Sequence, residues 1–567
     1  MRRRRPLLLA LAAFLDHSAR WTIQDASGAG YFHLLDRIAS RQDARALAEM
    51  DVFHRRAQFS RAMAAAAGNG HISVLQWLLQ YFPERKVTKA VEVAAACNQL
   101  EVLQWLYEQD KAGGVDVFWG AKEMLLAVEN GHLDVARWLH EHVKVPEDLR
   151  LMEKAAHAGD LEMVQWLHSI KKEASVPAIA DAASEGFLDV AQWMSTNCFR
   201  ECPYIVMDKA ASNGHLDVVQ WLHANGGRCT MNAMNAAAAN GHLHVVQWLH
   251  CNRNDGCTRD AMDQAAVNGH LEVVQWLHAN RSEGCTTIAM NGAARRGFFD
   301  VVQWLHANRN DGCTIKAMDN SAANGHLDIV KWLHANRSEG CSTFAMDGSA
   351  ANNQLDVVRW LHENRQEGCT AAAMDGAAGN GHLNVVTWLH ENRDEGCTSN
   401  AMDQAAGNGH LEMVQWLHQH RGEGCTPEAM DRAVRSGDFE MIRWLYANRR
   451  EGCTTTAMDN AAAAGRLDLV RWLHDTYSSG CSSRAIEGAA HGGHFAVLEF
   501  LHREQLGSCT SDAFVKAVRT GQLEVLQWLY HHYPNDIDQD RVVKIARRSD
   551  LHCLNWLVDQ GFSVNEW

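Results

Sequence analysis

Cysteine is the residue type whose spacing first suggests chemistry in this chain of 567 residues. Twelve of the sixteen cysteines share one nearly constant spacing: Cys202, Cys229, Cys257, Cys285, Cys313, Cys341, Cys369, Cys397, Cys425, Cys453, Cys481 and Cys509. Regularly spaced thiols could bind a metal or form disulfides. If each belongs to an equivalent repeat, neighbouring thiols lie about 10 Å apart, whereas a disulfide needs Cα atoms within about 7 Å. The spacing therefore predicts small buried thiols in a reducing compartment.

Histidine and aspartate recur with the same period and could also act as metal ligands or acid–base groups. The histidines follow a glycine or a Trp-Leu pair, at His215, His242, His270, His326, His382, His410, His223, His250, His278 and His306. The aspartates follow methionine, at Asp263, Asp319, Asp347, Asp375, Asp403, Asp431 and Asp459. Because both sets recur with the repeat, we expect structural roles, with the aspartates bonding neighbouring backbone.

Enzyme motifs do not occur in the sequence. It contains no P-loop, no protein-kinase set, no His-Glu-x-x-His and no Gly-x-Ser-x-Gly. The pairs His140/His142 and His531/His532 lack further ligands at a useful spacing, and His491–His494 replaces a recurring Asn-Gly-His turn. The sequence therefore predicts a non-catalytic protein without a metal or cofactor.

Tryptophan reveals the elements that must position these residues. Seventeen of the twenty tryptophans form a regularly spaced series from Trp77 to Trp556, with Phe500 at the one position where a tryptophan is missing. Nearly all successive positions in this series are separated by the same number of residues, and the longest interval runs from Trp105 to Trp138. A fixed period of about 28 residues indicates a solenoid in which each repeat contacts its neighbours. We expect the indole rings to fill a shared interior between repeats.

One repeat, Cys257–Gly284, shows the predicted anatomy. Thr258 is a good N-cap for helix A, which runs to about Asn268, and Gly269 is suited to the left-handed residue that ends it. Helix B runs from about Leu271 to Asn280, and its wide apolar arc must be buried on two sides. The tail Arg281–Gly284 is predicted to be a return turn with solvated charges.

The segment Ala265–Val274, read Ala-Ala-Val-Asn-Gly-His-Leu-Glu-Val-Val, resembles the ankyrin-repeat core. The long step from Trp105 to Trp138 has the usual ankyrin length, and Leu557–Asn565 resembles an ankyrin segment that enters a hairpin. The resemblance covers about residues 60–567, and it implies an inner face, formed by helix A, that binds protein partners. The usual Thr-Pro-Leu-His start is replaced by Cys-Thr-x-x-Ala-Met-Asp, and the short repeats leave no room for a full hairpin.

These observations predict an all-α, ankyrin-type helix-turn-helix solenoid of about 18 stacked repeats with short inter-repeat loops. We expect an irregular segment with a degenerate capping repeat over residues 1–60, the repeat array over 61–540 and a C-terminal capping repeat over 541–567. No apolar run is long enough to span a membrane. The formal net charge of −15 favours proteins as partners and argues against nucleic acid, and we expect a monomer.

Positions that vary between repeats are available for recognition. The two residues after each Cys-Thr pair change freely, as do those after Met-Asp and Ala-Ala, and the resemblance places them on the concave binding face. The candidate partner-binding residues are Tyr204, Ile205, Ile288, Arg295, Arg296, Ile315, Lys316, Phe344, Arg432 and Arg435. The alternatives are neutral drift on a solvated face and a degenerate array without a partner.

The N-terminus leaves several interpretations open. Four arginines precede the apolar run Leu7–Leu15, which fits a capping helix, a secretory signal or a mitochondrial presequence. The same run faintly resembles the start of an F-box. We therefore expect a cytoplasmic binding scaffold, with a secreted effector that binds host proteins and a ubiquitin-ligase substrate adaptor as alternatives. A catalytic centre within positions 1–60 is a further alternative, which so short a segment disfavours.

Overall fold

A computed structural model describes residues 21–41, 51–120, 122–143, 150–199, 202–477 and 479–563. The predictions for residues 1–15, namely the capping helix, the targeting signals and the F-box-like segment, lie outside these ranges. The chain divides into two compact units. Unit 1 comprises Met1–Lys172, Ala462–Leu467 and Ser483–Trp567, and unit 2 comprises Glu173–Ala461 and Asp468–Ser482.

The described residues form 38 helices in chain order. Unit 1 begins with α1 (Ile23–Ala29), α2 (Phe32–Arg41), α3 (Val52–Gly68), α4 (Ile72–Tyr81), α5 (Lys89–Ala96), α6 (Leu100–Lys111), α7 (Glu123–Glu129), α8 (Leu133–His142), α9 (Leu151–His157) and α10 (Leu161–Ser169). Two short strands, β1 (Lys86–Val87) and β2 (Asp116–Val117), pair in parallel between the loops after α4 and α6.

Unit 2 follows with α11 (Val176–Ser184), α12 (Leu188–Asn197), α13 (Tyr204–Ser212), α14 (Leu216–Ala224), α15 (Met231–Ala239), α16 (Leu243–Asn252), α17 (Arg259–Val267), α18 (Leu271–Asn280), α19 (Thr287–Arg296), α20 (Phe299–Asn308), α21 (Ile315–Ala323), α22 (Leu327–Asn336), α23 (Phe344–Ala351), α24 (Leu355–Asn364), α25 (Ala371–Gly379), α26 (Leu383–Asn392), α27 (Ser399–Gly407), α28 (Leu411–His420), α29 (Pro427–Ser436) and α30 (Phe439–Asn448).

Helices α31 (Thr455–Ala463) and α32 (Leu467–Thr476) carry the unit boundaries, and unit 1 resumes with α33 (Ser483–Gly492), α34 (Phe495–Arg503), α35 (Ser511–Arg519), α36 (Leu523–His532), α37 (Gln539–Ser549) and α38 (Leu551–Asp559). Odd-numbered helices are the predicted helices A, and even-numbered helices are the predicted helices B. Within each unit, successive helices A pack side by side. The predicted all-α fold of stacked helix pairs with short loops is confirmed.

Local sequence explains where each helix begins and ends. In α17 the Thr258 hydroxyl accepts a hydrogen bond from the Asp260 backbone N–H at 3.2 Å, as the predicted N-cap requires. Gly269 follows the helix with a φ of +83°, a left-handed conformation that glycine adopts without strain. The next helix, α18, has the predicted bounds.

The interior is filled by small and aliphatic side chains. Helix A of this repeat buries Ala261, Met262, Ala265 and Ala266. Helix B buries two valines and a leucine: Val273, Val274 and Leu277. Helices in contact lie about 8–10 Å apart, a spacing that suits side chains of this size. The core therefore lies between adjacent helix pairs.

The tryptophans do not fill that interior, so this expectation is wrong. Of the seventeen regularly spaced tryptophans, all of them among the described residues, only Trp528, at 1% exposure, is fully buried. The other sixteen indoles are partly exposed. Trp276 contacts the imidazole of His250 in the preceding repeat, with ring centroids 5.2 Å apart and an interplanar angle of 85°. An indole is bulky and its N–H needs a hydrogen-bond partner, so the ring packs at the edge of helix B while valines and leucines fill the narrower interior.

Hydrogen bonds join each helix A to the next. The Asp263 carboxylate accepts from the backbone N–H of Thr286 at 2.7 Å and from its hydroxyl at 2.8 Å. Asp319, Asp347, Asp375, Asp403, Asp431 and Asp459 make the same pair of bonds to the following repeat. The predicted bonding of these aspartates to neighbouring backbone is confirmed.

Within unit 1, early and late repeats contact each other. The Arg61 guanidinium donates to the Gly493 carbonyl at 3.0 Å, and the His54 ring stacks on Phe495 with centroids 5.3 Å apart. His552, 5% exposed, has its ring 3.3 Å from the Glu92 carboxylate. The sequence offered no signal for these contacts, because the partners lie near opposite ends of the chain.

Across the described residues, no helix combines the length and the apolar character that crossing a lipid bilayer requires.

Candidate functional site

The first turns of the helices A in unit 2 carry a row of exposed apolar side chains. We call this row the apolar rim: Val176, Tyr204, Ile205, Met231, Ile288, Ile315 and Phe344. Their exposures range from 40% to 58%. Each lies within the first two residues of α11, α13, α15, α19, α21 or α23. Apolar side chains this exposed and this regularly placed are typical of interaction surfaces.

Helix capping explains why these positions face solvent. In α19, Thr286 caps the helix by accepting from the Ile288 N–H at 3.2 Å. The next residues, Ala289 and Met290, turn into the core and are buried. A side chain at the second helical position therefore projects away from the interior, and its type is free to vary without changing the stack.

The apolar rim has definite limits. Helix α17 interrupts it with Arg259 and Asp260. Beyond α23 the corresponding pairs become small or polar: Ala371/Ala372, Ser399/Asn400, Pro427/Glu428 and Thr455/Thr456. The capping geometry continues unchanged in α25, α27 and α29. The side chains at this position, and not the backbone, therefore distinguish the rim from the rest of unit 2.

Five of the candidate residues named from the sequence lie on this rim: Tyr204, Ile205, Ile288, Ile315 and Phe344. Sequence reasoning missed Val176 and Met231 as anchors. Val176 follows Ser175 in a repeat that lacks the Cys-Thr start, although the helix register marks it. Met231 stands directly after Thr230, so its position alone could have identified it.

The basic candidates lie on helices A of the same unit. Arg295 and Arg296 end α19, and Lys316 is the second residue of α21; all three are exposed. Arg296 donates to the Asn268 side-chain oxygen at 2.7 Å. Arg432 pairs with Glu428 at 2.5 Å, and Arg435 is exposed further along α29. One group of basic residues therefore stands on α19 and α21, and another on α29.

Glycines lie between these basic groups and allow the helices to approach closely. A Cβ on Gly348 would stand 2.7 Å from the Ala323 Cβ, and one on Gly376 would stand 2.8 Å from the Ala351 Cβ. Real Cβ atoms do not approach so closely, so a larger residue would force the neighbouring helices apart. These positions therefore hold the helices A in register.

The inter-repeat loops use their charges internally, contrary to the expectation of solvated charges. In the loop after α18, Arg281 pairs with Glu283, and each side chain is 24% exposed. The Arg309 guanidinium of the next loop covers Gly284, where a Cβ would stand 2.6 Å from its Nη2. The Arg365 guanidinium also contacts His334 Nδ1 at 3.3 Å. Because the glycine has no Cβ, each arginine can pack over the preceding loop, and most of the arginine side chain is thereby removed from solvent.

The repeated cysteines are buried or half-buried, as predicted, and all sixteen cysteines are free thiols. Cys285 donates to the Asp311 carboxylate at 3.3 Å. Burial, reinforced by this carboxylate, raises the pKa of Cys285 to about 12. Such a thiol stays protonated at neutral pH and is a poor nucleophile or metal ligand.

The repeated histidines of the Gly-His-Leu turns pack against the preceding repeat. A Cβ on Gly241 would stand 2.6 Å from the His270 ring, which hydrogen-bonds the Ala239 carbonyl. Burial lowers the pKa of His270 below its ordinary value. Over the part of the chain that the structure describes, no cluster of three His, Cys, Asp or Glu side chains could hold a metal ion.

Two family models match segments of the chain. One, described as ankyrin repeats (3 copies), matches residues 207–291 and 374–459. The other, described as ankyrin repeats (many copies), matches residues 124–168 and 293–334. Together these segments cover the rim helices α15, α19 and α21 almost completely. No curated protein matches the chain.

Solved structures of a helical repeat protein align with the chain along most of its length. The pentatricopeptide repeat protein PPR10 from maize is 11% identical, over 98% of this chain and 97% of that chain, with a TM-score of 0.28. PPR10 in complex with an 18-nt psaJ RNA element is 12% identical, over 97% and 93%, with a TM-score of 0.34. Similarity this low carries no argument about the function of this chain.

The exclusion of nucleic acid as a partner is nevertheless corrected. It rested on the net charge of −15 alone; the comparison adds only that one of the aligned structures is an RNA complex. Net charge is a sum over the whole chain and does not describe a local surface, as the exposed cations Arg295, Arg296 and Lys316 show. RNA is therefore an outcome that a binding experiment has to separate from protein.

Proposed function

This chain is an ankyrin-repeat protein, and from that premise we propose that it is a non-catalytic scaffold that binds a partner protein on the apolar rim. The single observation that carries the proposal is the row of exposed apolar side chains at two adjacent repeat positions in the first turns of the helices A, ending at Phe344. Ankyrin repeats suggest a protein-interaction scaffold, and the rim supplies the anchors that such an interaction needs.

The energetics of the rim support binding. Burying one exposed Ile or Phe side chain contributes about 1.5–3 kcal/mol. The helices that carry the rim are held in register by hydrogen bonds such as those from Ser342 to Asp319, both of them 2.7 Å long. A surface held in this way loses little conformational freedom when a partner docks, so less of the interaction energy is offset.

The recurring cysteines, aspartates and loop arginines, which are residue types found in catalytic sites, have contacts that favour a structural role. Cys285 and Cys229 are thiols whose pKa values burial raises to about 12. The recurring aspartates accept hydrogen bonds from the next repeat, and the loop arginines pair with Glu283 and its equivalents. Free protonated thiols also fit a reducing compartment, so we expect the protein in the cytoplasm.

Site-specific photo-crosslinking tests the proposal on the full-length chain. A photoreactive phenylalanine analogue replaces Phe344 in one variant and Thr456 in a matched control. Thr456 is the exposed second helical residue of α31, outside the rim. We expect adducts from position 344 and none from position 456, and we expect a protease, not a nuclease, to remove them.

Direct binding then measures the contribution of the anchor. With the crosslinked partner purified, Phe344→Asp should weaken binding about tenfold or more, because a charge replaces a ring that the bound partner would cover. Thr456→Asp should leave the affinity unchanged. Equal adducts from both positions, or adducts that only a nuclease removes, would contradict the proposal.

A further inference from the structure

The rim has a distinct centre at α19, α21 and α23. These three helices carry the apolar anchors Ile288, Ile315 and Phe344 and the exposed cations Arg295, near the end of α19, and Lys316, next to Ile315 in the chain. These five residues define what we call the central patch. It occupies three consecutive helices A, whose successive pairs are in contact.

Positive charge in the central patch is not neutralised by the protein itself. Within the described ranges, neither Arg295 nor Lys316 has a side-chain hydrogen bond or an ion pair. Helix α19 contains no acidic residue. The acidic residues of α21 and α23 are Asp319 and Asp347; Asp319 accepts hydrogen bonds from Ser342 and Asp347 accepts them from Thr370, each just before the following helix A.

Nearby loop charges do not compensate the patch either. Arg309, Arg337 and their acidic neighbours Asp311 and Glu339 form pairs within their own loops. Arg295 and Lys316 are therefore cations without an acidic partner on these three helices and their loops, in a chain whose net charge is −15. Unpaired cations on the same helices as exposed apolar side chains complement a ligand that is both acidic and apolar.

We infer that the central patch recognises an acidic peptide segment whose apolar side chains are spaced to reach Ile288, Ile315 and Phe344. This inference rests on the proposed function and names the chemistry of its partner. Adjacent helices A lie about 8–10 Å apart, so the anchors on α19 and α23 are separated by roughly 20 Å. An extended segment of about six residues covers that distance at about 3.3 Å per residue.

Selection from a peptide library tests the inference with the full-length chain as bait. The probe is a phage-displayed library of random peptides of about twelve residues, long enough to cross three repeats. We expect the enriched peptides to combine several Asp or Glu residues with two or three large apolar residues. The same selection with the Phe344→Asp variant as bait should fail to enrich them.

A synthetic, fluorescein-labelled peptide of the enriched sequence then gives affinities by fluorescence anisotropy. Lys316→Glu should weaken its binding about tenfold, because a like charge faces the acidic peptide. Lys331→Glu is the matched control, since it makes the same charge change on helix B of the same repeat, where Lys331 is exposed. It should leave the affinity unchanged. Raising NaCl from about 50 to about 500 mM should also weaken binding.

The outcomes separate this inference from the proposed function. Enriched peptides that depend on Phe344 but carry no excess of acidic residues would overturn the inference and leave the protein-binding function intact. A pool that never depends on Phe344 would overturn both. A single-stranded uridine oligonucleotide is the RNA probe: if it binds, and Lys316→Glu abolishes that binding while no peptide is enriched, the patch is a nucleic-acid surface and both proposals fail.

Discussion

The carboxylate of Asp263 accepts two hydrogen bonds from Thr286, one from the backbone N–H at 2.7 Å and one from the hydroxyl at 2.8 Å. Thr286 uses the same hydroxyl oxygen to cap its own helix by accepting from the Ile288 N–H. One side chain therefore links a helix of one repeat to the first turn of the next, where a rim anchor stands. The order of the rim depends on contacts of this kind between repeats.

Removing the Asp263 carboxylate should lower stability. Asp263→Ala leaves the Thr286 N–H without its acceptor, and we expect a loss of about 1–3 kcal/mol in the free energy of unfolding. Asp263→Asn should be nearly neutral at pH 7, because Asn235 holds the same position elsewhere and bonds Thr258 at 2.8 and 2.9 Å. Urea denaturation followed by circular dichroism measures both. An Asn variant as unstable as the Ala variant would contradict the prediction.

The Asp263 carboxyl group should also make the free energy of unfolding depend on pH. Burial raises the pKa of Asp263 above its ordinary value, so the native state binds this proton more tightly than the unfolded chain does. The contribution of Asp263 to the free energy of unfolding therefore falls as pH rises from about 4 through the native pKa. Asp263→Asn should remove this fall, which parallel urea titrations of both proteins would detect.

Glycine at the helix contacts should be required for packing. Gly348→Ala places a Cβ 2.7 Å from the Ala323 Cβ, and we expect a loss of about 1–3 kcal/mol from overpacking, despite the better helix propensity of alanine. The matched control is Gly422→Ala, where nothing lies within 4 Å. Adding Ala323→Gly to Gly348→Ala should restore part of the stability. Equal urea midpoints for Gly348→Ala and Gly422→Ala would show that the helices separate freely.

Thiol reactivity should divide the cysteines into two groups. Burial raises the pKa of Cys229 and Cys285 to about 12, so at about pH 8 almost none of either thiol is ionised. Cys97 and Cys251 are exposed, and we expect iodoacetamide to modify them first. Peptide mass spectrometry over a time course measures the order of modification. Early alkylation of Cys285 in the folded protein would contradict the burial described.

The half-buried histidines of the Gly-His-Leu turns should make the array sensitive to acid. Burial lowers the pKa values of His270 and His382, so the unfolded chain binds their protons more readily than the native state does. Their contribution to stability is therefore present above a pH of about 6.5 and is lost as pH falls. Gln354 occupies the equivalent position before α24. His270→Gln with His382→Gln should reduce the loss of stability between about pH 7.5 and about pH 5.5.

The reverse substitution is the control for this prediction. Gln354→His adds an imidazole at the same turn, where the Gln354 side chain packs over Gly325 of the preceding repeat. It should steepen the loss of stability on acidification. Urea midpoints at the two pH values compare the three proteins, and equal slopes would show that these histidines do not control acid sensitivity.

The helices, their caps and the position of each repeat follow from the sequence without reference to the rest of the fold. Thr258 and Gly269 act through backbone within a few residues, and the alternation of Ala-Met and Val-Leu faces sets which side of each helix is buried. Such information is local, so it can be read along the chain. The rim residues Ile288, Ile315 and Phe344 are identified in this way, as variable residues at two adjacent repeat positions.

Only the tertiary structure decided which groups meet across repeats. The period of the sequence shows that residues such as Trp276 and Arg281 occur once in each repeat, but it does not show whether they are buried or exposed. The indole remains at the edge because Val and Leu side chains fill the narrow space between the helices. The arginine packs against the preceding loop because the glycine there, Gly256, has no Cβ. Likewise, no local pattern joins Arg61 to Gly493. These outcomes depend on distances between segments far apart in the chain, which residue spacing does not encode.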